Sequence, residues 1–284
     1  MALGLKIAVC TNRPPAAVAE SVGALAEQLR RGDSAVLVAS GATADAYDFG
    51  WTVLREPRDG LARARNRALA WCEDDEVLVF VDDDAIVAEG WRDALARRWE
   101  QAAADVACIG GPIRPRWPGA RPDWVSPALH PVLTLLDLGP DPLELDPEET
   151  AVYGANISFR AGPLREIGGF DPALGHAGAR LFFAEEDEAQ RALARLGYRV
   201  LYAPDAAVWH AIPPERLTRG SFLRRRFAYG ATLGRRGARP RAVALRWALS
   251  SGAGSVAAAL SGRGGLAMER AVRAAENLGV VVAR

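Results

Sequence analysis

Three adjacent carboxylates, Asp82, Asp83 and Asp84, follow directly on the apolar run VLVFV at 77–81. Like charges at that spacing repel, and they stay ionised only beside a cation or in water. Mg2+ and Mn2+ are hard ions that take carboxylate and phosphate oxygens in one shell. The chemistry implied is a divalent metal holding a phosphate-bearing substrate. The plainer alternative is a solvated acidic turn, although a fully apolar strand running straight into three acids is an uncommon way to build one. In an extended segment side chains alternate, which predicts Asp82 and Asp84 on one side and Asp83 on the other.

Three further groups carry polar chemistry. In DGLARARN at 59–66, arginines beside a glycine and a helix start suit an anionic ligand. Exposed arginines on an ordinary helix fit the same pattern. Glu185, Glu186, Asp187 and Glu188 stand at the start of a later helix. Acids there complement the helix dipole, and one aimed into a pocket would serve as a general base. Helical spacing puts Glu185 and Glu188 on one face and turns Glu186 and Asp187 away from it. His210, in the run VWH, can complete a metal shell or orient a phosphate, while a lone histidine is usually structural. His130 and His176 lack comparable context and stay unassigned.

The elements that must position these groups follow from periodicity. Residues 5–9, 35–39, 51–54, 77–81, 106–109 and 199–202 read as strands, with regularity also at 152–159. The run at 77–81 suggests a strand buried on both faces. Helices are predicted over 16–31, from Asp59 (whose carboxylate can cap it) to about Cys72, over 91–104, and over 185–196 with Gly197 closing it. Alternating strands and helices imply a parallel or mixed sheet with helices on its faces. Ligands in such sheets bind at the carboxyl ends of the strands, where the three aspartates lie. Residues 111–147 are rich in proline and tryptophan and follow no period, as in loops that line substrate pockets. Beyond Pro213 the chain reads as helical and arginine-rich, with one break at 262–265.

Composition narrows the class. Half of the 284 residues are hydrophobic, a quarter are charged and the net charge is zero, so bulk charge gives no pointer to nucleic acid. Cys10, Cys72 and Cys108 are far apart and lack a CxxC pair, which argues for reduced core thiols rather than a disulfide framework or zinc knuckle. No secretory signal pattern opens the chain, and the apolar stretch at 242–260 is broken by Arg246 and a Ser/Gly cluster. A cytoplasmic location is expected, with peripheral contact on the inner face of the membrane as the alternative. No GxGxxG or P-loop motif follows a strand.

Taken in order, CTNRP at 10–14, GLARARNRAL, VFVDDD, YGANISFR, GGFDPALG, the EEDE helix ending in LGYRV, and VWH resemble the family 2 glycosyltransferases of the GT-A fold, over about 5–229. The resemblance implies an α/β GT-A fold, a Rossmann-like mixed sheet flanked by helices. Residues 1–219 would be catalytic, with a donor half to about 110 and an acceptor half from 111. A helical extension would occupy 220–284. It implies inverting transfer of a sugar from a nucleotide-diphosphate sugar to an acceptor hydroxyl, with Mg2+ or Mn2+. Asp84 is implied as the metal ligand, with Asp82 and His210 as further candidates. Thr11, Asn12, Arg13, Arg65, Asn66, Asp82 and Asp83 would line the donor site. Tyr153, Asn156, Phe170 and Asp171 would line the acceptor side. Glu186 aligns with the catalytic base, a one-residue shift would make it Asp187, and Glu185 completes the candidate set. The family's acid after strand two, which contacts the base, is replaced here by Ala39, Ser40, Gly41 and Ala42, which leaves the nucleotide open.

Other readings are a sugar-1-phosphate nucleotidyltransferase, a haloacid-dehalogenase phosphatase and a non-catalytic GT-A-like binding protein. The first lacks its early glycine-rich loop after Val9. The second usually places its DxD motif at the start of the fold. In the C-terminal segment, Phe222, Phe227, Leu233 and Trp247 lie among clustered arginines. Packing on the catalytic domain or on a second copy, as a homodimer, is favoured over an anionic membrane surface. The acceptor would be a saccharide, a lipid-linked saccharide or a small natural product.

Overall fold

The computed structural model describes residues 3–41, 47–174 and 185–283. Among these, one compact unit takes in the chain up to Pro115 together with 136–174 and 185–211, and the other takes in 116–135 and 212–283.

The first unit is built on strand β1 (Leu5–Thr11), helix α1 (Pro15–Gln28), β2 (Ser34–Ser40), β3 (Thr52–Glu56), α2 (Leu61–Leu69) and β4 (Val77–Val81). Then come β5 (Ala85–Val87), α3 (Trp91–Gln101), β6 (Val106–Gly110), β7 (Ile113–Arg116), β8 (Leu143–Leu145) and β9 (Asn156–Arg160). Helices α4 (Ala161–Glu166) and α5 (Glu185–Arg195) and strands β10 (Arg199–Tyr202) and β11 (Val208–Ala211) complete it. Every residue of β4 is buried, as its unbroken apolar run requires. In α1, Val18, Val22 and Leu25 turn inward at helical spacing.

An eight-stranded sheet has the order β3-β2-β1-β4-β9-β6-β10-β8. Strands β3, β2, β1 and β4 run parallel. β9 lies antiparallel between β4 and β6. β1 and β4 therefore end at one edge, and β9 begins there, with Asn156 opposite Val81. A small second sheet has the order β5-β11-β7, and its register sets His210 opposite Ala85. The stretch at 111–147 holds β7, a 3-10 segment at Pro127–Leu133, and β8, which pairs antiparallel with β10.

One cap differs from expectation. Asp59 does not cap α2: Gly60 stands at the cap position with φ 138° and no side-chain bond. The chain turns there in a backbone region that glycine alone enters easily, so the aspartate sits one residue too early. Gly197 does close α5, with φ 89°. Cys72 and Cys108 are buried, and all three cysteines are free.

A buried ion pair ties the α3 side of the sheet together. Arg92 Nε and Nη2 donate to Asp33 at 2.9 and 2.7 Å. The backbone N–H groups of Leu5 and Arg30 donate to the same carboxylate at 2.9 and 2.8 Å. Burial opposes the charge on Asp33, but these four donors hold its pKa below the usual value. A carboxylate with a depressed folded pKa stabilises above its unfolded pKa and loses that contribution as pH falls through the folded value. Asp33→Ala is expected to cost about 3 kcal/mol at neutral pH. Urea melts should show the gap between variant and wild type closing below about pH 4. A gap that stays constant down to acid pH would rule the pair out as its source.

In the second unit, α6 (Arg219–Arg235), α7 (Arg241–Leu260) and α8 (Gly264–Val282) follow one another, with the break between α7 and α8 where the glycines predict it. α6 and α8 approach through glycine. A Cβ on Gly230 would lie 1.9 Å from Glu276 O, and one on Gly279 would lie 2.1 Å from Phe227 O.

Candidate active site

The three aspartates occupy a tight turn between β4 and β5, closed by Ala85 N–H donating to Asp82 O at 3.0 Å. Ser21 of α1 pins it, its hydroxyl donating to Ala85 O at 2.6 Å and lying 3.2 Å from Asp82 O. The alternation expected of an extended segment therefore fails, because a turn fans its side chains out. Asp83 accepts from the Thr11 hydroxyl and from Arg13 Nη1 at 3.2 Å. Asp84 lies 3.5 Å from the same guanidinium and 3.1 Å from His210 Nε2. Ala211 N–H donates to Asp84 O at 3.0 Å, so the β5–β11 pairing locks the imidazole against the turn. Asp82 reaches Arg65 Nη2 at 3.6 Å.

Arg65 is 2% exposed. It rises from α2, where the small Ala62, Ala64 and Ala68 are also buried and let the helix sit close to the sheet. Its guanidinium lies against the rings of Phe80 and Phe170, 5.6 and 5.7 Å from their centroids. Nη1 is 2.6 Å from Glu185 Oε1 and 3.5 Å from Glu186 Oε2. Both residues thus meet one cation, contrary to the helical-face expectation. They are the first two residues of α5, where a group at the helix end is within reach of neighbours that diverge further along. Gly154 leaves the space that Arg65 fills, since a Cβ there would fall 1.8 Å from Nη2. Its N–H donates to Glu186 Oε1 at 3.3 Å.

The two glutamates titrate apart. Burial, then the charge of Glu186, pushes Glu185 well above the ordinary range against the pull of Arg65. Burial also opposes the charge on Glu186. There Arg65, its own backbone N–H, Glu185 and Gly154 N–H prevail and hold the pKa down. Burial and mutual repulsion thus disfavour a second charge on the pair, and the balance favours the charge on Glu186. In the acid turn, burial pushes Asp82 up to about 6, with Asp84 and Asp83 adding to the rise against Arg65 and His210. Burial and Asp84 raise Asp83 too, against hydrogen bonds from Thr11 and Arg13.

Asp187 is buried and points along its own helix, 3.9 Å from Arg191 Nη2. Asn66 makes two bonds to Phe170, one to its carbonyl at 2.7 Å and one from its N–H at 2.8 Å. Asn156 is enclosed, accepting from Trp91 Nε1 at 3.0 Å and donating to Pro112 O and Ala206 O. Phe170 is buried against Phe80 and Phe159. Tyr153 is half-buried, and Asn12 and Asp171 are exposed. Ser40 donates to Thr11 O at 3.4 Å. Ala42 and His176 lie outside the described residues. Sequence reading passed over Ser21 and Gln190. Gln190 is fully buried and bonds both backbone groups of Val152 beside the site. Its place on the inward face of α5 was the only signal.

The family model described as Glycosyl transferase family 2 matches residues 7–162, from β1 through the acid turn and Arg65 to α4. The chain belongs to glycosyl transferase family 2. Glu185, Glu186 and His210 lie beyond the matched stretch. A glucosyl-dolichyl phosphate glucuronosyltransferase of Haloferax volcanii is 28% identical over 138 residues, 48% of this chain and 43% of that protein. The chain thus spans less than half the length of this curated relative. Among solved structures, the mannosyltransferase PcManGT of Pyrobaculum calidifontis, in complex with GDP-Man and Mn2+, superposes with TM-score 0.57 at 19% identity, covering 83% of this chain and 64% of that one. S. aureus TarS gives TM-score 0.53 at 16% identity, covering 98% and 90%. The mixed sheet with flanking helices is the GT-A fold, and the family's reaction class is glycosyl transfer.

Proposed function

We propose that this family 2 member is an inverting glycosyltransferase that moves a sugar from a nucleotide-diphosphate sugar to an acceptor hydroxyl with the help of Mg2+ or Mn2+. One observation carries the reading. A single buried guanidinium, Arg65, joins the acid turn after β4 to the carboxylate pair Glu185 and Glu186. The acids we assign to the donor side and the carboxylate we assign as base would thus stand within one side chain of each other.

The residues present fit a hard divalent ion. Asp84 and His210 offer oxygen and nitrogen 3.1 Å apart, in a turn whose other acids are raised in pKa by burial and by the charge of their neighbours. Among the described residues no group of three or more such side chains gathers, so diphosphate oxygens would complete the shell, as is usual for ions bound by one or two carboxylates. The metal would neutralise the diphosphate as it departs. Thr11, Asn12 and Arg13 flank the nucleotide, with Asp82 toward the nucleoside and Asp83 fixing Thr11 and Arg13 in place. Glu186, rather than Asp187, takes the proton of the acceptor hydroxyl. That oxygen bonds to the anomeric carbon as the carbon–oxygen bond to the diphosphate breaks and its electrons leave with the phosphate. Tyr153 and Asp171 face the acceptor, supported from behind by Asn156 and Phe170.

Asp84→Ala is expected to lower Mn2+-dependent release of nucleoside diphosphate by at least about a hundredfold. The assay runs a panel of nucleotide sugars, including GDP- and UDP-linked ones, with metal and with chelator. Transfer that persists unchanged in Asp84→Ala under chelator sinks the reading. Release of inorganic pyrophosphate instead would identify a nucleotidyltransferase. Calorimetric binding of the sugars without turnover would identify a binding protein.

A further inference from the structure

Charge is divided unevenly along a chain of zero net charge. Residues 219–284 hold thirteen arginines and two acids, a net +11, which leaves −11 on the rest. Within this basic segment α7 is packed the wrong way round for a helix facing water. The side turned to α8 is small and polar. Ala244, Ala248 and Ala258 are buried, the Ser255 hydroxyl donates to Ala267 O at 2.8 Å, and Arg270 Nη1 donates to Gly254 O at 2.8 Å. Large apolar residues point out: Val243 and Trp247 are exposed on one side of the helix, and Leu245, Leu249, Val256 and Leu260 are 45%, 66%, 61% and 86% exposed on a different side. At 100° per residue these four fall in one stripe about 60° wide. Arg241 and Arg246 border the stripe, Arg263 follows its end, and all three are exposed. By length and composition α7 is also apolar enough to cross a membrane. Its placement along α8 and the arginine beside its stripe suit lying on a surface instead.

We propose that α7 is a membrane-docking helix, whose leucine stripe enters the outer part of an anionic bilayer while the surrounding arginines meet lipid phosphates. A nucleic acid would use the arginines and leave the aliphatic stripe in water. A second copy docked symmetrically through this segment would bring +11 against +11. An anionic lipid surface satisfies stripe and charge together. The inference is independent of the transferase chemistry.

The test is vesicle co-sedimentation of the full chain. It compares phosphatidylcholine alone with vesicles in which roughly a third of the lipid is phosphatidylglycerol. Wild type is expected to sediment with the anionic vesicles only, and less as salt rises. Leu249→Gln with Val256→Gln and Leu260→Gln should lower partitioning about tenfold or more. Arg246→Gln with Arg263→Gln should remove the preference for anionic lipid. Both variants alter exposed side chains only, and unchanged circular dichroism and thermal midpoint confirm folding. Wild type that stays in the supernatant with both vesicles overturns the proposal. So does a triple-glutamine variant that sediments like wild type, which would reduce the effect to polycation binding. A wild-type dimer that the triple variant converts to monomer, without vesicle binding, would assign the stripe to a second copy.

Discussion

Replacing Glu186 with glutamine is expected to lower kcat about a thousandfold while the donor KM moves by no more than about twofold. The amide keeps the size and shape of the carboxylate, and its oxygen can still accept from Gly154 N–H. What it loses is the capacity to take a proton. Glu185→Gln separates the two glutamates. Burial and the neighbouring Glu186 disfavour a charge on Glu185, so an amide there should cost less, and most of kcat should survive. Asp187→Asn removes a carboxylate that faces Arg191 on its own helix, and its effect should be smaller than about tenfold. Arg65 and its neighbours keep the Glu186 pKa below the ordinary glutamate value. The acidic limb of the kcat/KM profile should therefore fall below that value, leaving the base ionised throughout the neutral range. If Asp187→Asn costs more than Glu186→Gln, the alignment is off by one residue and the base is Asp187.

How much of this was legible from the sequence depends on how local each cause is. VLVFV reads as a buried strand because five apolar residues in a row have one simple solution, and β4 is buried at every position. The DDD segment declares a charge problem for the same reason. Its geometry is not local. The turn that fans the acids out is held by Ser21, some sixty residues earlier in the chain, and its histidine arrives through the β5–β11 register. The helix from 185 was readable, but the meeting of Glu185 and Glu186 on one cation required knowing where Arg65 ends up. β8 escaped because a three-residue edge strand with mostly exposed side chains leaves no period to detect. The inverted packing of α7 escaped too: its composition is visible in the sequence, but the side it turns to α8 is not.

Arg65→Met is expected to destabilise the protein by about 3–5 kcal/mol near pH 8 and to abolish transfer. Methionine can fill the slot between Phe80 and Phe170, so the change isolates charge from volume. Without the guanidinium, the buried Glu185 and the partly buried Glu186 and Asp82 lose the cation they share. The folded pKa of Glu186, which Arg65 holds down, then rises, and those of Glu185 and Asp82, already raised by burial, rise further, so that protons must be taken up to keep the fold. A carboxylate with a raised folded pKa favours folding below its unfolded pKa, and that contribution is lost as pH rises through the folded value. The stability gap to wild type should thus be small near pH 5 and widest at about pH 8. Thermal or urea melts across that range measure it. Arg65→Lys should recover part of the stability but little transfer, because one compact ammonium cannot reach both Asp82 and Glu185 as a forked guanidinium does. A gap equal at both pH values would mean that the pocket loses only packing, and Arg65 would then be a filler rather than the charge that sets the glutamate pair.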